Sequence, residues 1–133
     1  MTEQEIFDTV LAHLREQGEA ATSAGGSCQY RGANGAACAV GCLIPDEMYD
    51  PLIEGLDVGR IIEAVVPEHR QDQTQELLPV LARIKNHIGA EHLPLLHELQ
   101  EAHDMELFIS GLDAWEEEMH RIACAFDLQY TPA

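Results

Sequence analysis

Basic residues are scarce in this chain of 133 residues: 7 lysines and arginines stand against 24 aspartates and glutamates, which gives a net charge of −17. A surface this acidic repels phosphate backbones and anionic lipid headgroups, so we expect no direct binding to nucleic acid and no membrane association. The same charge attracts a basic protein and speeds its encounter with the chain. The composition therefore predicts a protein partner, and a basic one.

Long apolar runs are also missing. No run approaches the ~20 residues that a membrane-spanning helix needs, and the stretch Met1–Phe7 lacks the basic region and apolar core of a secretory signal. We therefore expect a cytoplasmic protein whose four cysteines remain thiols in a reducing compartment. An apolar fraction of 46% over this length predicts one globular domain covering residues 1–133.

Recognisable catalytic motifs are absent as well. The seven histidines form no H-E-x-x-H motif, and the chain has neither a glycine-rich phosphate loop nor a G-x-S-x-G sequence. His97 with Glu101 and Glu116 with His120 are spaced i, i+4, which is typical of side-chain pairs on a helix surface. The sequence thus predicts no cofactor, and it favours a binding protein over an enzyme.

Helical periodicity is the clearest feature that the sequence does contain. Apolar residues recur at helical spacing in five segments, which begin near Thr2, Asp57, Leu77, Pro94 and Ser110. Thr2 and Glu5 form a capping-box pattern, and Pro79 is expected in the first turn of its helix, where no N–H is needed. The predicted fold is mainly α, with five or six helices packed around one small β-hairpin at about residues 28–42.

The hairpin prediction depends on Asn34-Gly35, a dipeptide that tolerates positive φ and favours a tight turn. A two-residue turn would pair Arg31 with Cys38, whereas a three-residue turn would pair Tyr30 with Cys38. Only the three-residue turn gathers the apolar side chains on one side of the hairpin, so it is favoured. That side would carry Cys28, Tyr30, Cys38, Val40 and Cys42.

Three interpretations of these cysteines remain open. Cys28, Cys38 and Cys42 are candidate zinc ligands, although C-x9-C-x3-C lacks the second close pair typical of structural zinc sites. Alternatively, Cys42 lies just before a helix start at Pro45 and would act as a nucleophile if folding brought a base to it. The candidate base and its orienting partner are His103 and Asp104. In the third interpretation the thiols simply fill the core.

Candidate interaction residues lie in and just after the same stretch, and in the last predicted helix. In a chain with so few cations, Arg31 is expected to pair with Asp46 or Glu54, the alternative being that it binds an anionic ligand group. The acidic run at 116–118 is typical of a solvated helix face. The candidate interaction residues are Tyr30, Arg31, Asp46, Glu116, Glu117 and Glu118.

Two patterns run through the chain. They are Cys28-x-Tyr30-Arg31 … Cys38-Ala39-x-Gly41-Cys42-Leu43-Ile44-Pro45-Asp46-Glu47-x-Tyr49 … Glu54-Gly55, and Leu99-Gln100 … His103-Asp104 … Trp115 … Ile122-Ala123 … Phe126. Together they cover most of the chain apart from residues 57–92, and the chain resembles a group of small bacterial and phage proteins of unassigned function. The resemblance implies a bacterial or phage-infected cell as the setting, and it implies no catalytic residues.

These observations together predict an acidic, non-enzymatic protein-interaction module. In a phage setting, such a module would inhibit a basic host protein that binds nucleic acid, by presenting carboxylates where phosphates would sit. The alternative is an enzyme or zinc protein centred on the hairpin, using Cys38, Cys42 and His103. An exposed apolar side of the hairpin would instead predict a homodimer.

Overall fold

The computed structural model describes residues Met1–Ala133 and shows a mainly helical chain. Its five α-helices are α1 (Glu3–Gln17), α2 (Val58–Glu63), α3 (Thr74–Ile88), α4 (Leu93–Glu101) and α5 (Leu112–Ala125). A π-helical segment, Ala102–Ser110, joins α4 to α5. Extended loops and short 3-10 turns connect α1 to α2. The prediction of a mainly α fold is therefore confirmed.

Helix α1 begins at the predicted capping box. The Thr2 hydroxyl accepts the Glu5 N–H at 3.1 Å, and the Glu5 carboxylate accepts the Thr2 N–H at 3.1 Å. Gly18 ends the helix in the left-handed region, with φ of 75°. The side of α1 that faces the core buries Ile6, Phe7, Val10, Leu11 and Leu14.

The core is one continuous cluster of 30 buried residues, to which all five α-helices contribute. The most deeply buried side chains of the later helices include Leu77, Leu81, Leu99, Trp115 and Ile122, all with no exposed surface. Buried residues recur at spacings of three and four, as in Trp115, Met119 and Ile122 of α5, which agrees with the periodicity of the sequence. None of the helices combines the length and apolar character that crossing a membrane requires.

The prediction for Pro79 is wrong. It lies inside α3, in the second turn, because the helix begins at Thr74 rather than at Leu77. The three residues before Leu77 are polar or partly exposed, so apolar periodicity gave no sign that they were helical.

The predicted β-hairpin at residues 28–42 is also wrong, because the structure contains no β-strand. The turn itself forms, with Asn34 and Gly35 at φ of 59° and 77°. Two isolated bridges are the only strand-like pairing, Thr22↔Cys28 and Arg31↔Ala37. The second bridge has the register of the three-residue turn, but no ladder extends from it.

Competition for two backbone groups explains why the ladder stops. A ladder in this register needs the Tyr30 N–H to donate to the Cys38 carbonyl. Instead the Tyr30 N–H donates to the Glu54 carboxylate at 2.9 Å. The Cys38 carbonyl accepts the Cys42 N–H at 2.9 Å, which turns the chain into a helical turn. Both groups are satisfied, so nothing favours a longer pair of strands.

Close contacts hold this segment in place despite the missing sheet. The Gln17 amide, at the end of α1, accepts the Ala37 N–H at 2.9 Å and donates to the Ala37 carbonyl at 3.0 Å. The backbone of Gly41 lies against that of Tyr30, where a Cβ on residue 41 would fall 2.0 Å from the Tyr30 carbonyl oxygen. Only glycine allows this approach.

Arg31 ties the same segment to the loop that follows it. Its guanidinium donates to the Asp46 carboxylate at 2.7 Å, to the Gly41 carbonyl at 3.3 Å and to the Ile44 carbonyl. The guanidinium carbon also lies 5.0 Å from the centre of the Tyr49 ring. Arg31 is thus engaged within the protein, and Asp46 is the acidic partner of its side chain.

We expect Arg31→Lys to lower the free energy of unfolding by about 2 kcal/mol, because an ammonium group cannot reproduce the directed bonds of the guanidinium. Asp46→Asn should cost less than about 0.5 kcal/mol, since the Asp46 side chain is 93% exposed and such ion pairs contribute little. Urea denaturation followed by circular dichroism measures both. Equal losses would contradict the importance of the carbonyl contacts.

Candidate functional site

A cleft of about 470 Å³ opens where three parts of the chain meet. Its walls are the extended segment 28–30, the turn 54–58 and the side of α4 and the π-helical segment between residues 97 and 105. This volume is in the range of pockets that hold a small ligand or an inserted side chain, about 300–1,000 Å³. The cleft is therefore large enough to be a binding site.

The lining of the cleft is acidic and contains no lysine or arginine. Its carboxylates are Glu54, Asp57, Glu101 and Asp104, and its apolar side chains include Tyr30, Leu56, Val58 and Met105. Asp57 caps α2 and pairs with Arg60 at 3.3 Å. Glu101 is exposed, and its carboxylate has no hydrogen-bond partner. The lining therefore attracts a cationic group and repels an anionic one.

Glu54 builds one wall of the cleft. In addition to the Tyr30 N–H, its carboxylate accepts the Arg31 N–H at 3.0 Å and the Tyr49 hydroxyl at 2.7 Å. The Tyr30 hydroxyl donates to the Leu56 carbonyl at 2.6 Å. Burial raises the pKa of Tyr30, so its phenol remains a hydrogen-bond donor at neutral pH. These contacts join the segment 28–30 to the turn 54–58.

A hydrogen-bond network behind the opposite wall fixes His103 and Asp104. His103 is completely buried, and its Nε2 accepts the Ala21 N–H at 3.0 Å. The ring proton must then be on Nδ1, which donates to Asp104 Oδ1 at 2.8 Å. Gln100 donates to the same oxygen at 3.0 Å and accepts the Val40 N–H at 3.0 Å. The network thus connects α4 to the segments around residues 21 and 40.

Cys28, His103 and Asp104 form a group whose possible metal-ligand atoms lie within 4.8 Å of one another. The predicted zinc set of Cys28, Cys38 and Cys42 forms no such group. His103, however, has no free lone pair, because Nε2 accepts the Ala21 N–H and Nδ1 carries a proton. A metal ion, or a proton taken up by a general base, would have to displace that buried backbone hydrogen bond. The contacts therefore describe a structural network.

The environments of the thiols are unfavourable for a nucleophile. Burial, with a further contribution from the Asp104 charge, raises the pKa of Cys28 to about 11. Burial raises the pKa of Cys42 to about 12, and it raises the pKa of the fully buried Cys38 as well. A reactive cysteine requires the opposite shift. The structure also brings His103 to Cys28 and not to Cys42.

The structure does not bring the candidate interaction residues together in one place. Tyr30 lines the cleft, as described above, whereas the acidic run on α5 lies apart from the cleft lining. Glu116 accepts a hydrogen bond from Arg15 at 2.9 Å, and this guanidinium lowers the pKa of Glu116. Glu118 pairs with a neighbouring arginine, and only Glu117 is exposed without a partner. The run is thus mostly engaged within the protein.

Several cleft residues were not among the candidates. His97 and Glu101 were interpreted as a helix-surface pair, and they instead both line the cleft. Asp57 marks the start of a predicted helix, and the structure places it in the cleft lining as well. The sign of the cleft in the sequence is the stretch 86–120, which contains no lysine or arginine and supplies two of the four cleft carboxylates.

No protein-family model, no curated protein and no solved structure matches the chain. The function is therefore argued from the geometry of the cleft and from its charge.

Cys124 should react with a thiol reagent such as iodoacetamide much faster than the other three cysteines at neutral pH. Cys124 is exposed, whereas Cys28 and Cys42 are half-buried with raised pKa values and Cys38 is buried. Mass spectrometry of the alkylated peptides over time measures the four rates. Cys124→Ser should remove the fast phase, and rapid alkylation of Cys28 or Cys42 would reinstate the catalytic interpretation.

His103→Ala should lower the free energy of unfolding by about 3 kcal/mol, because it leaves the Ala21 N–H unpaired and opens a cavity. His103→Gln should recover part of the loss, since its amide oxygen can reach the position of Nε2. Denaturation curves measure both changes. The control is His97→Ala at an exposed position, where the expected change is within about 0.5 kcal/mol. A similar loss of unfolding free energy in both alanine variants would contradict a stabilising role for the His103 network.

Proposed function

We propose that the chain is a non-enzymatic interaction module that binds a basic protein partner at the acidic cleft. The observation that carries this proposal is the lining, in which four carboxylates surround apolar side chains and no lysine or arginine is present. A lysine or arginine of the partner would lay its methylene stem on the apolar side chains. Its charged head would bind the carboxylates of Glu101 and Asp104.

Most of the chain's own basic side chains are already bound within the protein, which supports the same proposal. Of the 7 basic residues, four form ion pairs with the chain's own carboxylates: Arg15, Arg31, Arg60 and Arg121. Arg70 is held by the backbone carbonyls of Leu52 and Glu54, at 2.8 and 2.9 Å. Little cationic surface remains to offset the −17 charge. The field of the whole chain therefore attracts a basic partner, and the carboxylates of the cleft offer it a place to bind.

A partner that uses lysines and arginines to hold nucleic acid would be inhibited by this binding. Its phosphate-binding side chains would be occupied by the carboxylates of the cleft, so nucleic acid and this chain would compete for them. This extension accords with the phage setting that the sequence resemblance implies.

The proposal is tested with hexa-arginine, a peptide that carries the charge of a basic partner without its shape. We expect binding in isothermal titration at low salt and a strong loss of affinity as salt is raised. The variant Asp57→Asn/Glu101→Gln should weaken the affinity about tenfold, because two cleft charges are lost while asparagine still caps α2.

The matched control removes two charges outside the cleft lining, in Asp72→Asn/Glu76→Gln, whose parent residues are both exposed. This variant should change the affinity by about twofold or less, since distant surface charges are screened. No binding at low salt, or equal effects of the two double variants, would rule out the cleft as the site for cations.

A further inference from the structure

Exposed apolar side chains are concentrated beside the cleft. Seven large apolar residues of the chain are exposed, and four of them lie between residues 105 and 112. We call these four the apolar ridge: Met105 (51% exposed), Phe108 (44%), Ile109 (68%) and Leu112 (37%). Single exposed apolar residues are ordinary, whereas contiguous exposed apolar surface is typical of interaction sites.

The π-helical segment explains why the ridge points outward. Its backbone closes with wider turns, as in the bond from the Gly111 N–H to the Glu106 carbonyl at 2.8 Å. The segment buries His103 and Leu107 against the core and leaves Met105, Phe108 and Ile109 in solvent. The backbone then turns at Gly111, with φ of 101°, before α5 starts at Leu112. π-Helical turns are rare and frequently occur at functional sites.

The ridge is continuous with the cleft, because Met105 belongs to both. Acidic residues flank it on each side: Glu101 and Asp104 towards the cleft, and Glu106 and Asp113 along the ridge itself. No lysine or arginine occurs in the whole stretch 86–120. An occupant of this surface must therefore offer apolar side chains in the middle and cations at its edges.

Building on the proposed function, we propose that the partner segment is an amphipathic basic helix whose apolar side packs on the ridge and whose lysines or arginines reach the cleft. A helix suits the surface, because a docked β-strand needs a sheet edge and this structure has no strand. The eight positions of the ridge correspond to about two helical turns of the partner. A second copy of this chain suits it poorly, since it would bring like charges opposite one another.

The test uses a peptide of about 14 residues with leucines on one side of the helix and lysines and arginines elsewhere. Its control is a scrambled peptide of the same composition, whose leucines share no side. We expect the amphipathic peptide to bind at least about tenfold more tightly than the scrambled one. In Phe108→Ser/Ile109→Ser this preference should fall to about twofold or less, because two ridge side chains are removed.

Leu78→Ser/Val65→Ser is the matched control, because these two apolar residues are also exposed, at 42% and 49%, but lie outside the ridge. It should keep the full preference, and both double variants should bind hexa-arginine as the unmodified chain does. If the chain binds hexa-arginine but binds the amphipathic and scrambled peptides equally well, the ridge proposal is overturned while the proposed function stands. Failure of hexa-arginine to bind would overturn the proposed function.

Sedimentation analysis of the unliganded chain completes the test. A monomer is expected in both the unmodified chain and the ridge variant. A dimer that the Phe108→Ser/Ile109→Ser change dissociates would assign the ridge to a second copy and overturn the proposal of a basic helix.

Discussion

The carboxylate of Glu54 is the contact on which the cleft depends. It accepts two consecutive backbone N–H groups and the Tyr49 hydroxyl, and it thereby joins the segment 28–30 to the turn before α2. Buried donors that lose their acceptor are costly, so these bonds fix the segment strongly. Because the Tyr30 N–H is satisfied by Glu54, the segment is free of a sheet and can form one side of an open cleft.

The acidic residues of this chain divide into two sets with different roles. Glu54, Asp104 and Glu116 each accept several hydrogen bonds and hold elements together. Glu101 and Glu117 have no such partners and are exposed. Net charge alone does not separate the sets, since every carboxylate in either set contributes one charge to the total of −17. The exposed set is available to a partner, and so is Asp104, whose side chain is 40% exposed. Of these residues, Glu101 and Asp104 line the cleft.

The parts of the fold that local sequence determines were predictable, and the rest were not. The capping box at Thr2 and the turn at Asn34-Gly35 each depend on a few neighbouring residues, and both are present. The hairpin prediction is wrong because the Tyr30 N–H donates to Glu54, which is 24 residues away in sequence, while the Cys38 carbonyl accepts the Cys42 N–H. The cleft could not be read for the same reason: its walls are assembled by contacts between distant segments. The run without cations, 86–120, was the one visible sign of it.

Gly41 limits how far sequences with this fold can diverge. Any side-chain carbon there would fall 2.0 Å from the Tyr30 carbonyl oxygen, a distance at which the backbone itself has to move. A chain that keeps these two backbones in contact must keep glycine at this position, however freely its surface acids change. Together with a carboxylate at residue 54 and an amide at residue 100, this glycine forms a three-position fingerprint. Remote relatives would retain it after their overall similarity has been lost.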